Sequence, residues 1–122
     1  MRELLAVMKA LADENRLRMI AALHGRELCL CQIVELLGLA TSTVSRHASI
    51  LHQARLVRAR KEGRWTYFRL DDTAPSEAAE AMALVVRALK RDHQAREDAK
   101  RLLQILKLDP EALCRKQSEC KC

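Results

Sequence analysis

The chain has 122 residues, of which 49% are hydrophobic, enough for one domain with one modest core. No apolar run approaches the roughly 20 residues of a membrane span, and the opening MRELLAVMKALADENR is too interrupted by charge for a signal peptide. A membrane partner is therefore not expected, a cytoplasmic location is, and the net charge of +6 has to be explained by where it sits.

Residues 2–12, RELLAVMKALA, predict a short amphipathic helix with Leu4, Leu5, Met8 and Leu11 turned inward. Asp13 is an N-cap candidate for a helix over 14–23, with Leu17, Ile20, Ala21 and Leu23 as its core face and Gly25 as its stop. From Leu28 to Leu56 the pattern predicts two short helices joined by a tight turn. The first carries Ile33, Val34, Leu36 and Leu37 and breaks at Gly38, as a glycine just past a helix end does. The second begins near Thr41 or Ser42, either of which suits an N-cap. Val44, Ala48 and Leu51 fall at i, i+4 and i+7 and make one apolar stripe. The opposite face holds Ser42, Ser45, Arg46 and Ser49, with Thr41, Thr43 and His47 at its margins. Short hydroxyls let a backbone come close to phosphates and base edges, and Arg46 can clamp a phosphate or a guanine. This is the pattern of a helix-turn-helix with a recognition helix. The plainer alternative, a helical hairpin with a polar outer face, has to meet the charge distribution.

Between Thr41 and Leu70 stand seven basic residues (Arg46, Arg55, Arg58, Arg60, Lys61, Arg64 and Arg69) and one acid, Glu62. The remainder of the chain balances 15 basic residues with 15 acidic ones. The whole excess thus falls in one segment, the electrostatic footprint of a nucleic-acid binder, and the helix-turn-helix favours that reading over an acidic protein partner for the same patch. After the second helix the apolar period changes from 3.6 to 2. Residues 57–61 and 65–70 alternate as strands around Glu62-Gly63-Arg64. The second strand holds all three aromatic residues: Trp65 and Tyr67 on one face, Phe68 on the other and expected in the core. A hairpin of two strands must lean on the helices. Its tip, with Lys61 and Arg64, would reach phosphates or the minor groove beside the recognition helix.

Pro75 opens a helix predicted to run from Ser76 to about Leu108. Its first half is nearly all apolar (Ala78, Ala79, Ala81, Met82, Ala83, Leu84, Val85, Val86, Ala88, Leu89), more than one small domain can cover, so a homodimer is expected. Residues 90–101 read as solvated, and Leu102, Leu103, Ile105 and Leu106 as a last apolar patch. The expected architecture is mainly α with a small two-stranded β-wing: a winged helix-turn-helix with a long C-terminal dimerisation helix. Residues 1–108 would form the DNA-binding and dimerisation domain and 109–122 a flexible, cysteine-containing tail.

Five cysteines stand at positions 29, 31, 114, 120 and 122. An odd number in a cytosolic chain argues against a disulfide framework. Two guard the entrance of the helix-turn-helix and three crowd the end, a placement suited to soft ions or oxidants. Soft thiolates select thiophilic ions over magnesium or calcium.

ALADENRLRMIAAL, ELCLCQIVELLGL, TSTVSRHASILHQARLV and KEGRWTYFRL together resemble the ArsR/SmtB family of winged-helix, metal-sensing repressors. The resemblance covers about residues 4–90, and ELCLCQIV is similar to the ELCxCDLC signature of the family's arsenic repressors. It implies a homodimer that holds operator DNA and releases it when As(III) or Sb(III) binds cysteine thiolates, with Cys29 and Cys31 as two of the ligands. No organic cofactor is implied. The family's third cysteine falls at Val34, which cannot ligate, so a third sulfur would come from Cys114, Cys120 or Cys122. An extended tail spans about 40 Å, so reach does not choose among them. Ala40 stands where a capping serine is expected. A relative binds zinc through Asp/His pairs on its last helix; here Asp92 and His93 have no second pair in the sequence, and that site is not expected.

A helix N-terminus favours a thiolate. Residues two apart point the same way only in extended chain, so an ion bound to both Cys29 and Cys31 should reshape the entrance of a helix that packs on the recognition helix. The predicted DNA-contacting set is Thr41, Ser42, Thr43, Ser45, Arg46, His47, Lys61 and Arg64. The competing reading is a winged-helix regulator in which Cys29 and Cys31, or the tail cysteines, oxidise. An enzyme is not expected: a phosphate-cradling Cys-x5-Arg loop is missing, since six residues past Cys29 and Cys31 lie Glu35 and Leu37.

Overall fold

The computed structural model describes residues 1–117; Cys120 and Cys122 lie outside the described residues. Helix α1 spans Arg2–Leu11 and α2 Glu14–Leu23. Asp13 sets the corner between them, its carboxylate accepting from the backbone N–H of Asn15 at 2.8 Å and of Arg16 at 3.1 Å. The helix-turn-helix follows as α3, Leu30–Leu37, and α4, Thr41–Gln53, with Gly38 in the left-handed region at φ 68° ending α3. No side chain caps α4: Ala40 occupies the N-cap, and neither Thr41 nor Ser42 takes that role. The hydroxyls of the first turn are thereby left to the outer face.

Strands β2, Val57–Glu62, and β3, Trp65–Leu70, pair antiparallel from Val57 against Leu70 to Glu62 against Trp65. Only Gly63 and Arg64 form the turn, and Gly63 takes φ 61°, a conformation costly for a residue with a Cβ. The sheet differs from the expected two strands. Leu28–Cys29, named β1, pairs with β3 through Leu28 opposite Phe68 and Cys29 opposite Tyr67, giving the order β1-β3-β2. A two-residue strand carries no alternation, so periodicity could not reveal it. It gives the hairpin the third strand that a free two-stranded ribbon lacks.

The C-terminal part also departs from expectation. The helix predicted over 76–108 is two: α5, Ser76–Leu89, and α6, His93–Ile105. Asp92 accepts from the backbone N–H of Ala95 at 3.0 Å and starts α6 afresh. The break folds α6 back against α2 and α3. Arg18 clamps it there, its Nε and NH2 donating to Asp98 Oδ2 and Oδ1 at 2.8 and 2.9 Å, while Gln94 Nε2 donates to Oδ1 at 2.9 Å. After Asp109 the chain forms α7, Pro110–Lys116, where a flexible tail was expected. Pro110 at the first position and the Asp109 cap start this helix, and buried Leu113 seats it on α3.

The core runs through Met19, Ile20, Leu23, Leu28, Ile33, Val44, Leu51, Leu56 and Val57. Helix α1 buries Val7 and Ala10 in it, and of the residues expected inward Leu11 packs against it while Leu4, Leu5 and Met8 do not. Leu4, Leu5 and Met8 are 45, 48 and 56% exposed, and Leu84 of α5 is 55% exposed. Leu4, Met8 and Leu84, together with Leu11, Ala81 and Val85, line one groove between α1 and α5. Leu4, Leu5 and Met8, read as core, thus lie on an outward face.

Candidate DNA-reading face and thiol site

Helix α4 buries Val44, Ala48 and Leu51 against α1, α2 and α3, and this fixes the opposite face outward. Ser42, Ser45, Arg46 and Ser49 are exposed, and Thr41, Thr43 and His47 are half-buried at the edges. His47 is tethered. Arg16 NH1 donates to its Nδ1 at 3.0 Å, while Arg16 Nε donates to the Ala10 carbonyl at 2.6 Å. A guanidinium cannot accept, so Nδ1 is the acceptor and the ring's proton sits on Nε2.

The hairpin divides its cations. Arg60 lies 4.5 Å over the Tyr67 ring, and its NH2 donates to Glu27 Oε1 at 2.7 Å and its NH1 to Glu62 Oε2 at 3.0 Å. The bond from Arg60 holds the Glu27 carboxyl below the usual range, and Arg60 is held protonated in return. Arg64 stacks on Trp65 at 5.4 Å and pairs with Glu111 of α7 at 3.7 Å. Arg58 and Arg69 share Asp72 at 3.8 and 4.0 Å. Of the seven cations between Thr41 and Leu70, Arg46, Arg55 and Lys61 form no ion pair among the described residues, so within that segment they are the most open to phosphate.

Cys29 is both the end of β1 and the N-cap of α3, in extended conformation at φ −81° and ψ 159°, and its N–H donates to Gln32 Oε1 at 2.9 Å. Cys31 lies in the first turn of α3, and both thiol residues are buried. The structure brings Cys31 together with Cys114 of α7: their sulfurs join as a disulfide, with Cα atoms 6.0 Å apart. Gln117 Nε2 donates to the Cys31 carbonyl at 3.0 Å. Glu35 of α3 receives Lys116 of α7 at 3.2 Å and Arg101 of α6 at 3.3 Å. Val34, at the position of the family's third cysteine, is buried core. Among the described residues no group of three or more His, Cys, Asp or Glu side chains is placed to hold a metal ion. The donors that are present, buried cysteine sulfurs, have the softness a thiophilic centre requires.

The family model described as "Bacterial regulatory protein, arsR family" matches residues 13–59, which span α2 to the start of β2. The chain is 34% identical over 85 residues to the arsenic resistance transcriptional regulator ArsR2 of Pseudomonas putida, covering 67% of this chain and 72% of that one. It belongs to the arsR family. ArsR1 of the same organism, also named an arsenic resistance transcriptional regulator, is 40% identical over 80 residues, 62% of each chain. The matches span only 48 to 62% of the length of the first curated relatives. Among solved structures, the homodimeric winged helix-turn-helix domain of Mb0332 from Mycobacterium bovis, described as a possible ArsR-family regulator, aligns with a TM-score of 0.61. It is 29% identical and the alignment covers 78% of this chain and 84% of that one. This arsR-family chain accordingly has a winged helix-turn-helix fold, and the relatives named above are described as transcriptional regulators. Among the described residues no helix is long and apolar enough to cross a membrane.

Four residues that shape this arsR-family site escaped the sequence reading: Glu27, Glu35, Glu111 and Gln117. Each meets its partner across a large sequence separation, and no local pattern announces such a pairing. The one available hint was Glu27 itself, an acid directly ahead of the cysteine pair.

Proposed function

We propose that the chain is a homodimeric transcriptional repressor that holds double-stranded operator DNA and lets it go when As(III) or Sb(III) binds its thiolates. Cys29 and Cys31 would be two ligands, with a third sulfur from Cys114, Cys120 or Cys122. Thr41, Ser42, Thr43, Ser45, Arg46 and His47 would face the major groove, and Lys61 and Arg64 the backbone beside it. The bound ion supplies a soft centre that draws thiolates together.

The observation that carries this reading is the position of Cys29. It ends a strand paired to β3 of the wing and caps the helix that packs on α4. A change of its backbone is therefore felt by both DNA-facing elements. The coupling needed is about 1–3 kcal/mol, a 5–150-fold change in affinity. The test is titration of the fully reduced protein–DNA complex with arsenite, in which release is expected at ligand levels that saturate the thiols. DNA retained on protein whose Cys29 and Cys31 are shown to be occupied would refute it.

A second reading, a thiol-redox regulator, is favoured by the contact of Cys31 with Cys114. It expects release on oxidation and none with arsenite under full reduction.

A further inference from the structure

Helix α7 touches two places that the helix-turn-helix keeps apart. On one side it meets α3: Leu113 is buried, Cys114 joins Cys31, Gln117 holds the Cys31 carbonyl at 3.0 Å and Lys116 reaches Glu35 at 3.2 Å. On the other side Glu111 lies 3.7 Å from Arg64, at the tip of the wing. The helix has seven residues, too few to persist unsupported in water. Its place over α3 therefore depends on its anchors, and the Cys31–Cys114 pair is the one that chemistry can open and close.

We propose that Cys114 is the sulfur partner of Cys31 within one subunit, and that α7 is an arm which, when this pair is closed, lays Glu111 on the wing and withdraws Arg64 from DNA. The proposal rests on the arsenite reading above and names both a ligand and its output. Each thiol that binds arsenite replaces one hydroxyl: one As–S bond forms, one As–O bond breaks, and the thiol proton leaves with the hydroxyl as water. Nothing is oxidised or reduced. The disulfide closes the same arm, and dithiothreitol opens it, giving up two protons and two electrons to become its own cyclic disulfide. With the pair closed, each wing presents a neutralised cation to phosphate. The slope of log affinity against log salt changes by about 0.9 for each phosphate contact, so closure should flatten it by about one unit per subunit.

The experiment uses the full chain and a mixed-sequence duplex. Affinity is measured across salt for the disulfide form, the form reduced with dithiothreitol, and the reduced form saturated with arsenite. Free thiols are counted by mass spectrometry after alkylation. The reduced form is expected to show the steeper slope, and both closed forms the flatter one. Glu111→Gln should abolish the difference while consuming the same number of thiols. Cys114→Ser should consume one thiol fewer and stay on the steep slope with arsenite. Equal slopes in wild-type open and closed forms, or a flattening that survives Glu111→Gln, would remove the arm. An unchanged thiol count in Cys114→Ser would remove the ligand assignment. Failure of the arsenite reading looks different: wild-type protein would consume no thiols, while the disulfide and reduced forms still decide the arm.

Discussion

At the scale of single residues, two carboxylates carry unequal weight. Asp98 is nearly buried and takes two hydrogen bonds from Arg18, whose side chain is itself only 17% exposed. Asp98→Ala would leave a guanidinium enclosed without its partner, and chemical denaturation should show a loss of about 3 kcal/mol. Glu27 instead pairs with a half-exposed Arg60, and solvent screens that pair. Its effect appears in pH. Because Arg60 holds the folded carboxyl below its ordinary value, the pair's contribution is complete above the unfolded glutamate pKa of about 4.3 and is lost as pH falls through the lowered folded value. The melting temperature of Glu27→Gln should therefore lie slightly below wild type at neutral pH and converge with it in acid. A constant gap across that range would contradict the assignment. The cysteines are expected to act on function instead. Cys29→Ser or Cys31→Ser should keep DNA affinity within a few-fold and lose arsenite-induced release, read by fluorescence anisotropy. A double variant that still releases would move the sensor to the C-terminal cysteines.

At the scale of elements, what the sequence made legible depended on how local the cause was. Asp13 caps α2 over the predicted span, and Val44, Ala48 and Leu51 bury as their spacing predicts, because a cap and a 3.6-residue stripe are short-range facts. Strand β1 and helix α7 were missed because each exists through a distant partner, Phe68 and Tyr67 for one and α3 for the other. The break at Asp92 was missed because an aspartate in a polar run reads equally as a solvated helix residue or a cap. The cysteine pair was legible at the entrance of α3, and the meeting of Cys31 with Cys114 was not, since 83 residues separate them. Helix α1 shows the opposite error: a correctly seen apolar stripe was assigned to the wrong neighbour. Leu4, Leu5 and Met8 face outward, and Leu4 and Met8 share a groove with Leu84. That face is where we expect the second subunit. Leu84→Glu, at a position 55% exposed in its own subunit, should give a folded monomer by sedimentation, because a carboxylate enclosed by a partner costs several kcal/mol. Val85→Glu would be a poorer test, since Val85 is buried within the protomer and its loss confounds folding with assembly.

At the scale of the whole molecule, the distribution of charge and the dimer make one joint expectation about DNA. Seven cations and one acid lie between Thr41 and Leu70. The fold does not leave all of them available: Arg60 is held by Glu27 and Glu62, Arg58 and Arg69 share Asp72, and Arg64 faces Glu111. Arg46, Arg55 and Lys61 remain in each subunit, with Arg64 joining them when α7 is open. A dimer would then offer about six to eight phosphate partners, and each contributes about 0.9 to the slope of log affinity against log salt. The expected slope is thus between about −5 and −7 for B-form DNA, well below what the raw count of basic residues suggests. Two recognition helices related by a twofold axis should read half-sites about 34 Å apart, one turn of the duplex. Footprinting should find an inverted repeat at that spacing, and inserting half a turn between the half-sites should abolish tight binding. Arg46→Ala should cost about 1–3 kcal/mol and relax the sequence preference if Arg46 reads a base edge, whereas Lys61→Ala should lower the slope with little change in preference. A slope near −1, or a half-site bound as tightly as the full repeat, would mean that the basic segment and the apolar α1–α5 face do not cooperate in the way the fold arranges them.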